Sequence, residues 1–153
     1  MHVMTTQTPI PSPQDVTACT CFNLRKAARV VSQAYDGALK PVGIKATQFS
    51  VLATLDTLVD LPMTQLAEQL LINRTALSRN LKPLERDGLV RLASEADQRV
   101  RLVTLTPAGK RIFDKALPLW AAMQDEMAAT MGRDDWAGLF GGLGAAVDAV
   151  QRD

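Results

Sequence analysis

The chain has 153 residues, of which 47% are apolar and 22% charged, as expected for one globular domain with its own core. Its formal net charge is +1, and it has no run of about 18 apolar residues, which a transmembrane helix requires. Residues 1–13 lack the basic start and apolar stretch of a signal peptide. We therefore predict a cytoplasmic protein with a flexible arm over residues 1–15 and a single domain over residues 16–153.

The two cysteines, Cys19 and Cys21, lie near the predicted start of the first helix. Only one residue separates them, which is poor spacing for an unstrained mutual disulfide, and with His2 they fall short of a four-ligand zinc site. Packing as small apolar residues is the simpler interpretation. Redox sensing through an exposed thiolate is the alternative.

Residues 16–40 predict a long helix, because their apolar side chains recur at helical spacing. The repeating positions are Leu24, Ala28, Val31, Tyr35 and Leu39.

Residues 62–72 predict a short helix with Thr64 as its N-cap and with Leu66, Ala67 and Leu70 facing inward. Asn73 follows directly and is a good N-cap for a second helix. Two helices joined by so tight a turn form a helix-turn-helix.

The helix that follows Asn73 separates a polar face from an apolar one. At about 100° per residue, its cationic and hydroxyl side chains fall within an arc of about 140°, and its leucines lie well away from that arc. The polar set is Arg74, Thr75, Ser78, Arg79, Lys82 and Arg86, and the apolar set is Leu77, Leu81 and Leu84. A recognition helix needs this division, since such side chains contact DNA phosphates and arginine can bond guanine bidentately. An amphipathic surface helix with a solvated charged face is the alternative.

We predict that this helix enters the DNA major groove. We predict that Arg74 and Arg79 contact bases or phosphates and that Lys82 contacts a phosphate. Thr75 and Ser78 lie on the same face. Pro83 should kink the helix or end its regular part nearby, beyond the turns that carry these contacts.

The next segment has the residue types of a β-hairpin. Residues 89–93 and 100–105 predict two strands, and the polar residues 94–99 form the tip between them. Gly88 suits a left-handed helix end, while Thr106 followed by proline starts another helix. The sequence therefore predicts a winged helix-turn-helix over about residues 44–106, in a mainly α-helical fold with a small β-hairpin wing.

Two more apolar stripes lie within residues 107–151. They comprise Ile112, Ala116, Trp120, Met123 and Met127, and then Trp136, Leu139, Phe140, Leu143, Val147 and Val150. Long terminal helices that flank a compact lobe have little of their own chain to pack on. We therefore predict a homodimer formed through residues 16–40 and 107–151, which would supply the two-fold symmetry of an inverted-repeat operator.

The small net charge conceals a strong segregation of charge along the chain. Residues 1–73 are balanced, residues 74–115 carry +5, and residues 116–153 carry −4. The positive charge is thus concentrated on the polar helix, the wing and the start of the next helix, as in an electrostatic footprint for nucleic acid.

The chain resembles the multiple antibiotic resistance regulator (MarR) family of bacterial winged-helix transcription factors. The matching motifs are Leu66-Ala67, Asn73-Arg74-Thr75, the run Leu84-Glu85-Arg86-Asp87-Gly88-Leu89-Val90, Asp97-Gln98-Arg99, and Leu105-Thr106-Pro107-Ala108-Gly109. The resemblance extends from about Cys19 to about Val150. It implies a homodimer in which each subunit carries one winged-helix lobe.

The resemblance also implies roles for the wing and for an effector. Arg99 at the wing tip would reach the neighbouring minor groove, where negative potential favours arginine. Asp97 would orient a nearby arginine such as Arg101. The family further implies a repressor of transcription that releases double-stranded DNA when a small effector, often a phenolic or other aromatic acid, binds.

Two other classes of protein fit the sequence less well. An enzyme would need catalytic or cofactor residues, yet the chain has one histidine and neither a phosphate-binding glycine loop nor a metal-ligand cluster. We therefore predict no enzymatic activity, metal or cofactor. A winged helix that binds only proteins would have no need for the cationic helix face or the arginine at the wing tip.

Overall fold

The computed structural model describes residues 12–94 and 100–151. The chain forms two compact units, one up to residue 34 and the other from residue 35 onward. In the first unit, Asp15 caps a short 3-10 helix, Val16–Ala18, by accepting a hydrogen bond from the Thr17 amide at 2.9 Å. Helix α1, Thr20–Leu39, begins in this unit. No helix in the described ranges has the length and apolarity of a membrane span.

The second unit contains the predicted winged helix-turn-helix. Its elements are a 3-10 helix Lys40–Val42, α2 Ala46–Leu58, β1 Leu61–Pro62, α3 Met63–Gln69, α4 Arg74–Arg86, β2 Val90–Ser94, β3 Arg101–Leu105, α5 Pro107–Met131 and α6 Arg133–Val150. Among the described residues the sheet has three antiparallel strands in the order β1-β3-β2. Strand β3 lies in the centre, with Val103 opposite both Leu61 and Leu92.

The predicted wing strands are confirmed, and each begins one residue later than predicted. Strand β1 was not predicted, because the sequence places Pro62 in the following helix. Proline has no amide hydrogen to donate, but it can occupy this short edge strand, where Pro62 lies opposite Leu102. The prediction of Thr64 as an N-cap is wrong, since α3 already begins at Met63.

The helix-turn-helix turn is a Schellman motif at the end of α3. The amide of Ile72 donates to the Ala67 carbonyl at 3.1 Å, and the amide of Leu71 donates to the Glu68 carbonyl at 3.1 Å. Leu71 holds the left-handed position, with φ of 50°. These bonds satisfy helix-end carbonyls and reverse the chain within a few residues.

Helix α4 ends in the same motif, but with glycine at the left-handed position. The Leu89 amide donates to the Leu84 carbonyl at 2.8 Å, and the Gly88 amide donates to the Glu85 carbonyl at 3.0 Å. The φ of Gly88 is 71°, which confirms the predicted left-handed helix end.

The core of the second unit lies between α2, α4, the sheet and the first half of α5. Phe49 of α2 packs against two aromatic rings of α5, with ring centroids 5.4 Å from Phe113 and 5.8 Å from Trp120. The largest fully buried side chains are Leu39, Val51, Leu52, Leu55, Leu66, Leu77, Leu81, Leu84 and Val103. Of the predicted stripe on α1, Leu39 is thus fully buried.

The start of α5 is fastened to the end of α4. The Thr106 hydroxyl accepts from the Gly109 amide at 3.0 Å, which confirms Thr106 as the N-cap, and it donates to the Gly88 carbonyl at 2.6 Å. The Thr106 amide donates to the Leu89 carbonyl at 3.1 Å. A Cβ at Gly109 would overlap the Leu89 carbonyl oxygen and lie 2.7 Å from Leu105 Cδ1. Glycine is therefore required at residue 109 for close approach.

We expect Gly109→Ala to lower the free energy of unfolding by about 2–3 kcal/mol, because α5 must move away from Leu89 to admit the methyl group. Gly88→Ala is the matched control. Beyond its two chain neighbours, no described residue lies within 4 Å of a Cβ at Gly88, so its cost of about 1 kcal/mol comes from the left-handed backbone. Urea unfolding followed by circular dichroism measures both variants. An equal or smaller loss for Gly109→Ala would contradict the close approach.

Candidate nucleic-acid interface

Helix α4 is fixed in the molecule by its apolar face. Leu77, Leu81 and Leu84 lie on that face at helical spacing, and each is at most 1% exposed. At the start of the helix, the Asn73 side chain accepts a hydrogen bond from the Ala76 amide at 2.8 Å, which confirms Asn73 as the N-cap. The packing and the cap together set which side of α4 faces outward.

The opposite face gathers the side chains that the sequence predicted for DNA contact. Arg74, Thr75, Arg79 and Lys82 are exposed, and Ser78 is half-buried. The structure therefore brings these five residues together on one accessible side of a single helix. Their chemistry matches phosphate oxygens and the acceptor edges of bases, since three are cationic and two carry hydroxyl groups.

Pro83 lies inside α4, and the helix continues to Arg86. Because proline has no amide hydrogen, the Arg79 carbonyl lacks its usual helical donor. Four residues after the proline, the Asp87 amide donates to the Pro83 carbonyl at 3.0 Å, so helical hydrogen bonding has resumed. The turns that hold the predicted contacts precede this position.

On the wing side of α4, Arg101 at the start of β3 lines a small crevice of about 110 Å³ with Ser78, Lys82 and Glu85. This crevice joins the positive charge of the wing to that of α4. The predicted wing residues Asp97 and Arg99 lie outside the described residues.

On the other side of α4 lies a groove of about 330 Å³ that the sequence did not predict. We call it the α2–α4 groove. Its polar and charged lining residues are Lys45, Thr47, Gln48, Arg79, Asn80, Arg86 and Asp87. Lys45 precedes Arg79 by more than thirty positions, so no local pattern in the sequence connects the two. Only the packing of α2 against α4 makes them neighbours.

Asp87 partly neutralises this groove. Its carboxylate accepts a hydrogen bond from Arg86 Nε at 3.1 Å, and this hydrogen bond, together with the carboxylate charge, raises the pKa of the Arg86 guanidinium.

The cysteines lie away from this interface in the sequence, at the start of α1. Cys19 precedes the helix, Cys21 is its second residue, and both thiols are free and exposed. Within a single subunit, therefore, neither thiol is packed among apolar residues of its own chain. Across residues 12–94 and 100–151, no group of three or more His, Cys, Asp or Glu side chains could hold a metal ion.

A winged helix-turn-helix with an exposed cationic second helix defines a class of DNA-binding proteins. A family model described as the MarR family matches residues 42–100 of this chain. The organic hydroperoxide resistance transcriptional regulator of Bacillus subtilis is 31% identical over 100 residues, which cover 65% of this chain and 68% of the relative.

Solved structures agree with this similarity. The M. tuberculosis transcriptional regulator MosR in complex with DNA is 41% identical, with a TM-score of 0.73 over 88% of this chain and 99% of its own. The transcriptional repressor CouR bound to a 23-mer DNA duplex is 26% identical, with a TM-score of 0.78 over 91% of this chain and 99% of its own. Another CouR structure, bound to p-coumaroyl-CoA, is 25% identical, with a TM-score of 0.78 over 94% of this chain and 100% of its own.

The chain therefore belongs to the MarR family, as its sequence motifs predicted. It is a DNA-binding transcriptional regulator, and the family is not one of enzymes.

Proposed function

We propose that this protein represses transcription by binding an inverted-repeat operator as a homodimer, with the polar face of α4 in the major groove. The observation that carries the proposal is the exposure of Arg74, Arg79 and Lys82 on a helix whose other face is buried. An α-helix fits the major groove, where every base pair presents its own pattern of donors and acceptors. The similar protein CouR is a repressor whose structure contains bound DNA, and this supports repression as the proposed function.

Each residue of the interface has a role that follows from its chemistry. Arg74 and Arg79 contact guanine edges or phosphates, because a guanidinium can donate two parallel hydrogen bonds. Lys82 neutralises a phosphate, and the hydroxyls of Thr75 and Ser78 donate to nearby oxygens. For the wing, the resemblance to the family is the basis of the proposal that Arg99 enters the neighbouring minor groove and that Asp97 orients Arg101.

Helix α6 supports the homodimer. Leu139, Leu143 and Val147 recur at four-residue spacing and remain 38%, 39% and 38% exposed, and the adjacent Phe140 is 51% exposed. Within the described chain, no residue of α6 is buried. Contiguous exposed apolar side chains of this size mark a protein interface, and a second copy of the same helix would cover them.

We propose that a small aromatic or phenolic effector controls DNA release. The p-coumaroyl-CoA complex of CouR supports this, because that ligand contains a phenolic acyl group. An effector can act only by binding more tightly to the conformation that does not fit DNA. In a dimer, such a conformation would set the two lobes at a spacing that no longer matches the half-sites.

Oxidation at Cys19 or Cys21 is a second candidate for regulation. Two observations favour it: both thiols are exposed, and the B. subtilis relative is named for organic hydroperoxide resistance. In such a step a thiolate sulfur attacks the peroxide oxygen, giving a sulfenic acid, while the hydroperoxide is reduced to its alcohol.

Fluorescence anisotropy with DNA from upstream of the protein's own gene tests the proposed function. We expect tight binding that weakens steeply as salt rises, because released counterions drive the association. An inverted repeat with half-sites about one helical turn apart should compete, whereas a single half-site should compete poorly.

The Arg74→Ala, Arg79→Ala double variant should lose specific binding while its unfolding transition stays unchanged, because both side chains are exposed. The Lys26→Ala, Arg133→Ala double variant removes two exposed cationic side chains outside residues 74–115, so it serves as the matched control and should bind normally. Equal affinity of the wild type for operator and random DNA would disprove sequence-specific recognition.

The effector proposal predicts that a phenolic acid or its CoA thioester dissociates the protein–DNA complex in the same assay. The compound should also raise the unfolding temperature of the free protein, because it binds the folded state. A library of aromatic acids and thioesters without effect in either assay would argue against an aromatic effector.

The oxidation proposal predicts that cumene hydroperoxide lowers DNA affinity and that dithiothreitol restores it. The Cys19→Ser, Cys21→Ser variant should bind DNA normally and lose the response. An unchanged response in that variant would exclude both thiols as sensors.

A further inference from the structure

We propose that the α2–α4 groove binds a phosphate of the operator backbone on the side of α4 away from the wing, with Lys45 as its principal ligand. This inference rests on the proposed binding of α4 in the major groove. It assigns a DNA contact to the start of α2, an element that the sequence did not associate with DNA.

The charge of the groove fits an anion. Lys45, Arg79 and Arg86 are cationic, and Asp87 is the one carboxylate among its described lining residues. Asp87 pairs with Arg86. Among the described residues, neither Lys45 nor Arg79 forms an ion pair with a carboxylate. A net positive charge therefore remains for an anion to neutralise.

The position of the groove fits the DNA backbone rather than the bases. An α-helix with its side chains is about 10–12 Å across, and the major groove is about 12 Å wide. A helix seated there lies close to the phosphates of both strands. Lys82 and Arg101 lie on the wing side of α4, and Lys45 lies on the opposite side. Arg79 lines the α2–α4 groove and also lies on the polar face of α4 that is proposed to meet the bases. The groove and this polar face are therefore continuous.

The backbone around Lys45 is held in place before DNA binds. The Lys45 amide donates to the Gln48 side-chain oxygen at 2.9 Å, and the Ala46 amide donates to an Asp36 carboxylate oxygen at 2.7 Å. These bonds fix the first turn of α2 while the exposed Lys45 side chain stays free to reach a phosphate. The Thr47 hydroxyl and the Asn80 amide add neutral donors on the same walls.

The Lys45→Gln variant tests the proposal through the salt dependence of DNA binding. Losing one phosphate contact per subunit should reduce the slope of log affinity against log salt by about 0.9 per subunit. The loss in affinity should be the same on operator and random DNA, because a phosphate carries no sequence information. The matched control is Lys26→Gln, an exposed lysine of α1 outside both grooves and outside the positively charged segment, which should keep the wild-type slope.

The Gln48→Glu variant separates DNA binding from folding. Glutamate keeps an acceptor for the Lys45 amide, and the gain at the N-terminus of α2 is offset by repulsion from the nearby Asp36 carboxylate, so the unfolding midpoint should change little. The same charge repels a phosphate, so DNA affinity should fall, and most strongly at low salt.

If Lys45→Gln and Gln48→Glu both keep the wild-type salt slope and affinity, the α2–α4 groove does not bind a phosphate. The proposed function would remain intact. A loss of affinity in Gln48→Glu that only follows a loss of stability would also overturn phosphate binding in this groove. Failure of the proposed function would instead appear in the wild type, as an absence of preference for the inverted repeat.

Discussion

The burial of three leucines on one side of α4 is the constraint on which the DNA-binding surface depends. Burying a leucine side chain fully contributes about 1.5–3 kcal/mol, so Leu77, Leu81 and Leu84 together hold the helix at one rotation. A rotation of the helix that exposed these leucines would press polar or charged side chains against the core, where an unpaired charge is very costly. The cationic face is therefore directed outward by the packing behind it, and no interaction among the arginines is required.

Hydrogen bonds hold both ends of α4, and these ends connect the recognition helix to the rest of the lobe. The Asn73 cap and the Schellman turn before it set the angle to α3. At the other end, Gly88, Thr106 and Gly109 bring the end of α4, the wing and the start of α5 within hydrogen-bonding distance. A change in the direction of α5 would therefore reach the recognition helix through short, stiff contacts. This coupling is what a repressor needs if an event at the dimer helices is to alter the spacing of its two lobes.

Positively and negatively charged side chains lie on different parts of the molecule, which have different functions. Positive side chains gather on α4 and its two flanks, where the wing side presents Arg101 and the α2 side presents Lys45. The acidic C-terminal segment contains α6, whose exposed apolar side chains suit a partner helix better than a phosphate. A net charge near zero is thus compatible with strong DNA binding, because DNA meets one surface of the protein and not its average.

Local sequence patterns alone predicted the helix-turn-helix, the wing strands to within a residue, the N-caps Asn73 and Thr106, and the polar face of α4. Those features depend on local periodicity and on capping chemistry, which act within a few residues of one another. Tertiary contacts determine three other features, namely strand β1, the start of α3 and the α2–α4 groove. Pro62 becomes a strand residue only because β3 lies beside it, and Lys45 becomes a neighbour of Arg79 only because α2 packs against α4. Contacts between residues distant in sequence leave no periodic pattern in either segment. These features could therefore be identified only in the folded chain.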